Sequence, residues 1–236
     1  MGIVELGGVI IAQATQRVEL AAQNMANMTT AGYKSHRQFQ GLIDSAQLEF
    51  AAAQQASRSN GMSVDFTAGK LQQTGNPLDL AISGDGFFTV RTDTGLFYTR
   101  SGQFSRDADG RLVTPDGAVL QSASGDVRLE GGDVSILADG TVQQSGQPVS
   151  QLAIATFDDL QLLQPAGSGL FAAPVGAARD VAGPQVRQGM LEASNVTTAN
   201  EMISMMAGLR SAETGQRVVQ VYDDLMGRAL TTFGQM

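Results

Sequence analysis

One seven-residue rhythm runs through both ends of this chain, and the middle shares it with neither. Near the N-terminus Val4, Ile11, Val18 and Met25 fall seven apart, with Ala14, Ala21 and Met28 three residues after the last three. Near the C-terminus Met205, Ala212, Val219, Met226 and Phe233 repeat the spacing, followed three residues later by Gly208, Gly215, Tyr222 and Ala229. Such a repeat keeps one stripe of a helix turned towards a neighbour. The spacing therefore predicts helices over about 3–28 and 196–233, each with a seam that needs cover. Single amphipathic helices of this size are marginal in water. The ends are expected to pair with each other or with neighbours, as in a protein built to assemble.

The stretch between the seams reads as β structure. Leu78, Leu80 and Ile82 alternate with Asp79 and Ala81, the pattern of a half-buried strand. Strands are expected at Phe87–Arg91, Leu96–Arg100, Arg111–Thr114, Val134–Leu137, Thr141–Gln143 and Gln151–Phe157, separated by Asp-Gly and Pro-Asp-Gly turns. Brief strands are also expected at 64–66 and 70–72. The Gly- and Ala-rich stretch 165–189 reads as a return to the second helix. Residues 51–61 (AAAQQASRSNG) read as a connector, and Phe39, Leu42, Ile43, Leu48 and Phe50 suit either an extended segment or a short helix. The fold class is therefore α+β: long N- and C-terminal helices pairing as a coiled-coil-like stem, with a central all-β domain of short strands and hairpins. The expected divisions are an N-terminal assembly helix at 1–32, an extended connector at 33–74, the β domain at 75–189 and a C-terminal assembly helix at 190–236.

Composition narrows the function by exclusion. A net charge of −8 without any Lys/Arg cluster disfavours nucleic acid. There is no Cys, hence no disulfide, thiolate zinc site or cysteine nucleophile. The N-terminus lacks a basic n-region and carries Glu5, so no cleaved signal peptide is expected. No apolar run approaches the ~18 residues of a membrane span. Charged residues make up 16% of the chain, and Gly is abundant. That mixture suits a turn-rich body whose surface other subunits cover.

Catalytic and metal chemistry find little support. His36 is the chain's one histidine, which removes cysteine–histidine pairs and two-His metal helices; it reads as a surface or interface residue. Asp107-Ala108-Asp109-Gly110 opens like a calcium loop, but Ala118 stands where the bidentate Glu belongs. Gly84-Asp85-Gly86 is a turn and not a phosphate cradle. No enzyme activity, cofactor or metal is expected.

The candidate site is an assembly interface. On the N-terminal helix it comprises Val4, Ile11, Ala14, Val18, Ala21, Asn24, Met25 and Asn27. On the C-terminal side it comprises Asn195, Met202, Met205, Leu209, Ala212, Val219, Tyr222 and Met226. Gly208 and Gly215 cost about 1 kcal/mol each against Ala inside a helix, so they imply close backbone approach to another helix. Asn195 suits a helix cap, whereas Asn24, inside the seam, suits a buried residue that fixes register between helices.

The motifs carry a resemblance. Ala22-Gln23-Asn24-Met25-Ala26-Asn27-Met28-Thr29-Thr30-Ala31-Gly32-Tyr33-Lys34 resembles the N-terminal signature of bacterial flagellar rod and hook proteins. Gly75–Phe88 and Tyr98–Ser105 are similar to that family's central motifs, and Gln188–Val196 to its C-terminal signature. Gln23 stands where the family usually has Asn, and Thr197-Thr198 where it has Asn-Val. The resemblance implies a structural rod subunit, more like a proximal-rod than a distal-rod member. It implies export by the flagellar type III apparatus without a cleaved signal, and a place in the periplasmic rod of the basal body. The implied partners are other copies of the chain, rod proteins above and below it, and the export apparatus. Two alternatives remain open on the residues alone: a cell-wall hydrolase using Asp107 and Asp109, and a transient assembly cap.

Overall fold

Two helices carry the seam residues. In the computed structural model, which describes residues 3–38, 62–181 and 183–233, they are α1 (Ile3–Ala26) and α2 (Thr198–Phe233). The chain divides into two units. One holds both helices and the short strand His36–Gln38; the other holds Met28–Ser35 and Val64–Asn195. The apolar segment expected around Phe39–Phe50 and the connector 51–61 lie outside the described residues.

In the helical unit, α1 ends earlier than its seam. The Asn27 side chain donates to the Gln23 carbonyl at 2.9 Å, a local bond that competes with continuing the helix. Gly32 adopts the left-handed conformation, φ +68, six residues after the helix has stopped. α2 starts where the Asn200 and Glu201 amides donate to the Thr197 carbonyl, at 3.0 and 3.1 Å. Thr197 therefore occupies the N-cap position.

The second unit is β-rich. Its ten-stranded sheet runs through seven strands in the order Gln164–Gly167, Leu170–Ala172, Gly95–Thr99, Phe87–Thr92, Val119–Ser122, Leu112–Val113, Ser105–Arg106, with Gly125–Asp126, Ile154–Thr156 and Arg179–Asp180 paired beside this path. Val134–Ile136, Thr141–Gln144 and Gln147–Gln151 form a three-stranded sheet, and each strand pairs antiparallel with the next in sequence. Successive side chains of a strand point to opposite faces, and Phe87 and Phe88 use this to serve two cores. Phe88 packs with Leu80, Val90, Leu112 and Leu120, and meets Phe104 edge-on at 5.4 Å. Phe87 packs with Phe157, Leu163 and Phe171, and Phe66 reaches this second cluster.

Two expectations need correcting. Leu80, Ala81 and Ile82 are all buried, so this strand is not half-buried. Val186–Gln188 pairs along it, and its Leu80 amide donates to Gly102. The stretch 165–189 is also more than a return: it takes part in the strands Gln164–Gly167, Leu170–Ala172, Arg179–Asp180 and Val186–Gln188. Pro165 lies on the outermost strand of the large sheet's path, where a missing N–H is tolerated.

Candidate assembly surfaces

Glycines set how α1 meets α2. A Cβ built on Gly7 would fall 2.6 Å from Val219 Cγ2; on Gly208, 2.7 Å from Val18 Cγ2; and on Gly215, 2.8 Å from Ile11 Cγ1 and 3.2 Å from the Gly7 carbonyl. Residue numbers rise along α1 as they fall along α2, so the helices run antiparallel. Ala14 and Ala21 are buried on α1. Gly7 precedes Ala14 by seven residues and belongs to the same stripe, although in the sequence it only interrupts an apolar run.

The expected interface residues divide by location. Ala14, Ala21 and Asn24 are buried, while Ile11, Val18, Met25 and Asn27 are half-buried. Val4 lies in the first turn of α1. On α2, Met205, Ala212, Val219 and Tyr222 are half-buried, whereas Met202, Leu209 and Met226 are exposed. Met202, Met206 and Leu209, spaced four and three apart, form an uncovered apolar stripe. Further along, Thr214, Arg217, Val218, Val221, Tyr222 and Leu225 line an apolar groove of about 290 Å³.

The two asparagines of most interest act differently from expectation. Asn24 Nδ2 donates to the His36 carbonyl at 2.8 Å, and Asn24 Oδ1 accepts from the His36 amide at 2.9 Å. It thus imitates a strand pair across a short loop. Burial pushes the His36 pKa down. Asn195 is not the cap of α2. Its Oδ1 accepts from the Ser35 amide at 2.8 Å, and its Nδ2 donates to the Asp65 carbonyl at 2.7 Å and to Thr67. It ties together chain segments that flank the β body.

Beside Asn195 lies an ion cluster that periodicity does not reveal. Lys34 Nζ sits 2.6 Å from Glu192 Oε1, with both side chains buried, and also donates to the Thr67 carbonyl at 2.8 Å. The same carboxylate oxygen accepts from the Gly69 amide at 2.9 Å. Arg100 Nη1 approaches Glu192 Oε2 at 3.4 Å, and its guanidinium lies 5.1 Å from the Phe87 ring centroid. Burial lowers the Lys34 and Arg100 pKa values, against the pull of Glu192. Each residue lies within one of the motif blocks. The one hint in the sequence is a charge following an apolar, aromatic or hydroxyl residue: Tyr33-Lys34, Thr99-Arg100 and Leu191-Glu192.

The calcium-like loop is closed by protein groups. Asp107 Oδ1 accepts from the Asp109 and Arg111 amides, and Asp107 Oδ2 from Arg111 Nε at 2.7 Å. Partial desolvation works the other way, but these bonds hold the Asp107 carboxyl below its usual range. Among the described residues no cluster of three or more His, Asp or Glu is placed to hold a metal. No helix among them is long and apolar enough to cross a membrane.

Known proteins share these elements. The family model of the flagellar hook protein FlgE/F/G D1 domain matches residues 81–144, and that of the flagellar basal body rod FlgEFG protein C-terminal region matches 187–232. The flagellar basal-body rod protein FlgG of Borreliella burgdorferi is 31% identical, over 90% of this chain and 91% of its own length. The flagellar basal-body rod protein FlgF of Caulobacter vibrioides is 30% identical, over 94% of this chain and 93% of its own. The flagellar hook-basal body complex protein FlhO of Bacillus subtilis is 26% identical over the whole of this chain and 99% of its own.

Proposed function

Because the chain belongs to the flagellar basal-body rod protein family, we propose that it is a subunit of the proximal rod, assembling through its terminal helices into a helical tube that transmits torque. Members of the family are structural proteins of the basal body and not enzymes. The observation that carries the reading is the uncovered Met202, Met206 and Leu209 stripe on a helix already packed through Gly208 and Gly215. Large apolar side chains in a row are the mark of a surface that another protein covers.

In this reading α1 and α2 form a coiled-coil-like stem, with assembly segments at 1–32 and 190–236, a connector at 33–74 and a β domain at 75–189. The stem residues are those from Val4 to Asn27 and from Met202 to Met226 named above, while Asn195 belongs to the β unit. Copies stack through a head-to-tail contact that does not close, which generates a tube. Neighbours above and below are other rod proteins. The chain reaches the periplasmic rod through the flagellar type III apparatus.

The short segment before the central motif supports the proximal rod. Several relatives named FlgG support the distal rod as the second reading. A deletion strain separates them: a proximal subunit takes the whole distal rod with it, and a distal subunit leaves a short rod behind.

Ala21→Asp and Val219→Asp test the stem. Each puts a carboxylate into the seam, where an unpaired buried charge costs several kcal/mol. Both variants are expected to keep the β body folded and to be absent from basal bodies. Rod incorporation at the wild-type level for both would defeat the reading.

A further inference from the structure

The helical unit leaves a row of side chains uncovered on each helix. On α2, Thr214, Arg217, Val218, Val221, Tyr222 and Leu225 line the apolar groove, and Val221 and Leu225 are 58% and 59% exposed. On α1, Gly8, Ala12, Thr15, Glu19, Ala22 and Ala26 are all exposed. They recur at alternate spacings of four and three, so they share one face. Gly8 stands apart from the other seam glycines. Glycine weakens a helix against alanine. At Gly7, Gly208 and Gly215 the seam requires it, because an added Cβ would collide. A Cβ on Gly8 meets nothing within 4 Å, so no contact among the described residues uses its smallness.

The two rows are complementary. Bulky side chains on α2 match short ones on α1, and short side chains let a second helix approach closely. The threonine hydroxyls are already bonded within their own helices, Thr15 to the Ile11 carbonyl and Thr214 to the Arg210 carbonyl. Covering them strands no donor. Each row holds one charge, Glu19 on α1 and Arg217 on α2, of opposite sign. Neither forms an ion pair among the described residues. Arg210, Glu213, Asp224 and Arg228 flank the groove and sum to zero, while the other charges of α1, Glu5 and Arg17, lie outside its row. The rows also face opposite ways. The α1 row lies roughly 120° round its helix from Gly7, Ala14 and Ala21, and the groove roughly 110° round α2, in the reverse sense, from Gly208, Gly215 and Val219. In an antiparallel pair, turns of reverse sense lead to opposite faces. Such a pair inserts on one side and accepts on the other, which is a heterologous contact that repeats from copy to copy.

We infer that the α2 groove of one copy seats the α1 row of the next, running antiparallel, with Arg217 against Glu19 and Leu225 over Gly8 and Ala12. The inference rests on the rod-subunit reading and names the two surfaces through which successive copies join. It rests on the helical unit alone, and it assigns Gly8 a purpose that a single copy does not supply.

Cysteine cross-linking between copies tests it. The chain has no Cys, so Ala12→Cys and Leu225→Cys each introduce a single thiol at an exposed position. The two full-length variants are co-expressed in one strain, and its basal bodies are oxidised with copper–phenanthroline. The expected product is a dimer that joins an Ala12→Cys chain to a Leu225→Cys chain, identified by mass spectrometry of the linked peptide. Both chains present without that link, or Leu225→Cys chains joined to each other instead, would overturn the inference and leave the rod reading standing. A wild-type chain absent from basal bodies would defeat the rod reading, and the inference with it. Charge reversal gives a second arm. Glu19→Arg and Arg217→Glu should each cut incorporation by about tenfold or more, because like charges then meet in the contact, and the double variant should return to within about threefold of wild type. Failure of the double variant to recover overturns the pairing. Gly8→Leu should leave the helicity of the purified chain unchanged or higher while abolishing incorporation; incorporation at the wild-type level would overturn the close approach over Gly8.

Discussion

Among single residues, the helix glycines make the sharpest contrast. Gly8 and Gly215 both lie inside helices, yet a Cβ on Gly8 meets nothing within 4 Å, while one on Gly215 meets Ile11 and the Gly7 carbonyl. Gly8→Ala is therefore expected to stabilise α1 by about 1 kcal/mol through propensity alone. Gly215→Leu should destabilise the helical pair by roughly 1–3 kcal/mol, because overpacking outweighs the same propensity gain. Helicity measured by circular dichroism across a thermal melt checks both signs; equal effects would mean that the seam does not depend on close approach. The role of Gly215 was legible, since a costly residue at seam spacing implies a reason. The ion cluster was not. Lys34 and Glu192 are 158 residues apart and Arg100 and Glu192 are 92 apart, and no periodicity links residues so distant in the chain.

Elements end and join where side chains compete for backbone groups. Helix existence and the outer ends at Ile3 and Phe233 followed from spacing, but the inner ends did not: α1 closes at Ala26, where the Asn27 side chain bonds the Gln23 carbonyl, and Thr197, not Asn195, precedes α2. Asn24 was expected to set register between helices and instead mimics a strand partner for His36. These roles depend on which backbone groups lie opposite, information that no local pattern carries. Strands in Gly- and Ala-rich stretches were missed for a related reason. Their edge positions need little apolar content, so Gln164–Gly167 shows no alternation. Asn195→Ala is expected to cost about 1–3 kcal/mol, because the Ser35 amide loses its acceptor. Urea unfolding of the β body measures this. A loss below about 0.5 kcal/mol, the ordinary size for a surface change, would show that the tie is not structural.

At the level of the whole molecule, the division of labour matches the composition. A body with two aromatic and aliphatic cores folds within Met28–Ser35 and Val64–Asn195, while the helices carry apolar residues beyond what they bury against each other. Low charge and abundant glycine, ambiguous in isolation, suit a subunit enclosed by its neighbours. The central claim is that the chain is a lasting part of the rod. Mass spectrometry of detergent-extracted hook–basal bodies, following peptides from residues 78–111, tests it most directly. Stoichiometric presence, together with loss of all distal parts in a deletion strain, is the predicted result. Absence from the finished structure, with distal parts still lost on deletion, would make the chain a transient assembly factor and contradict the tube.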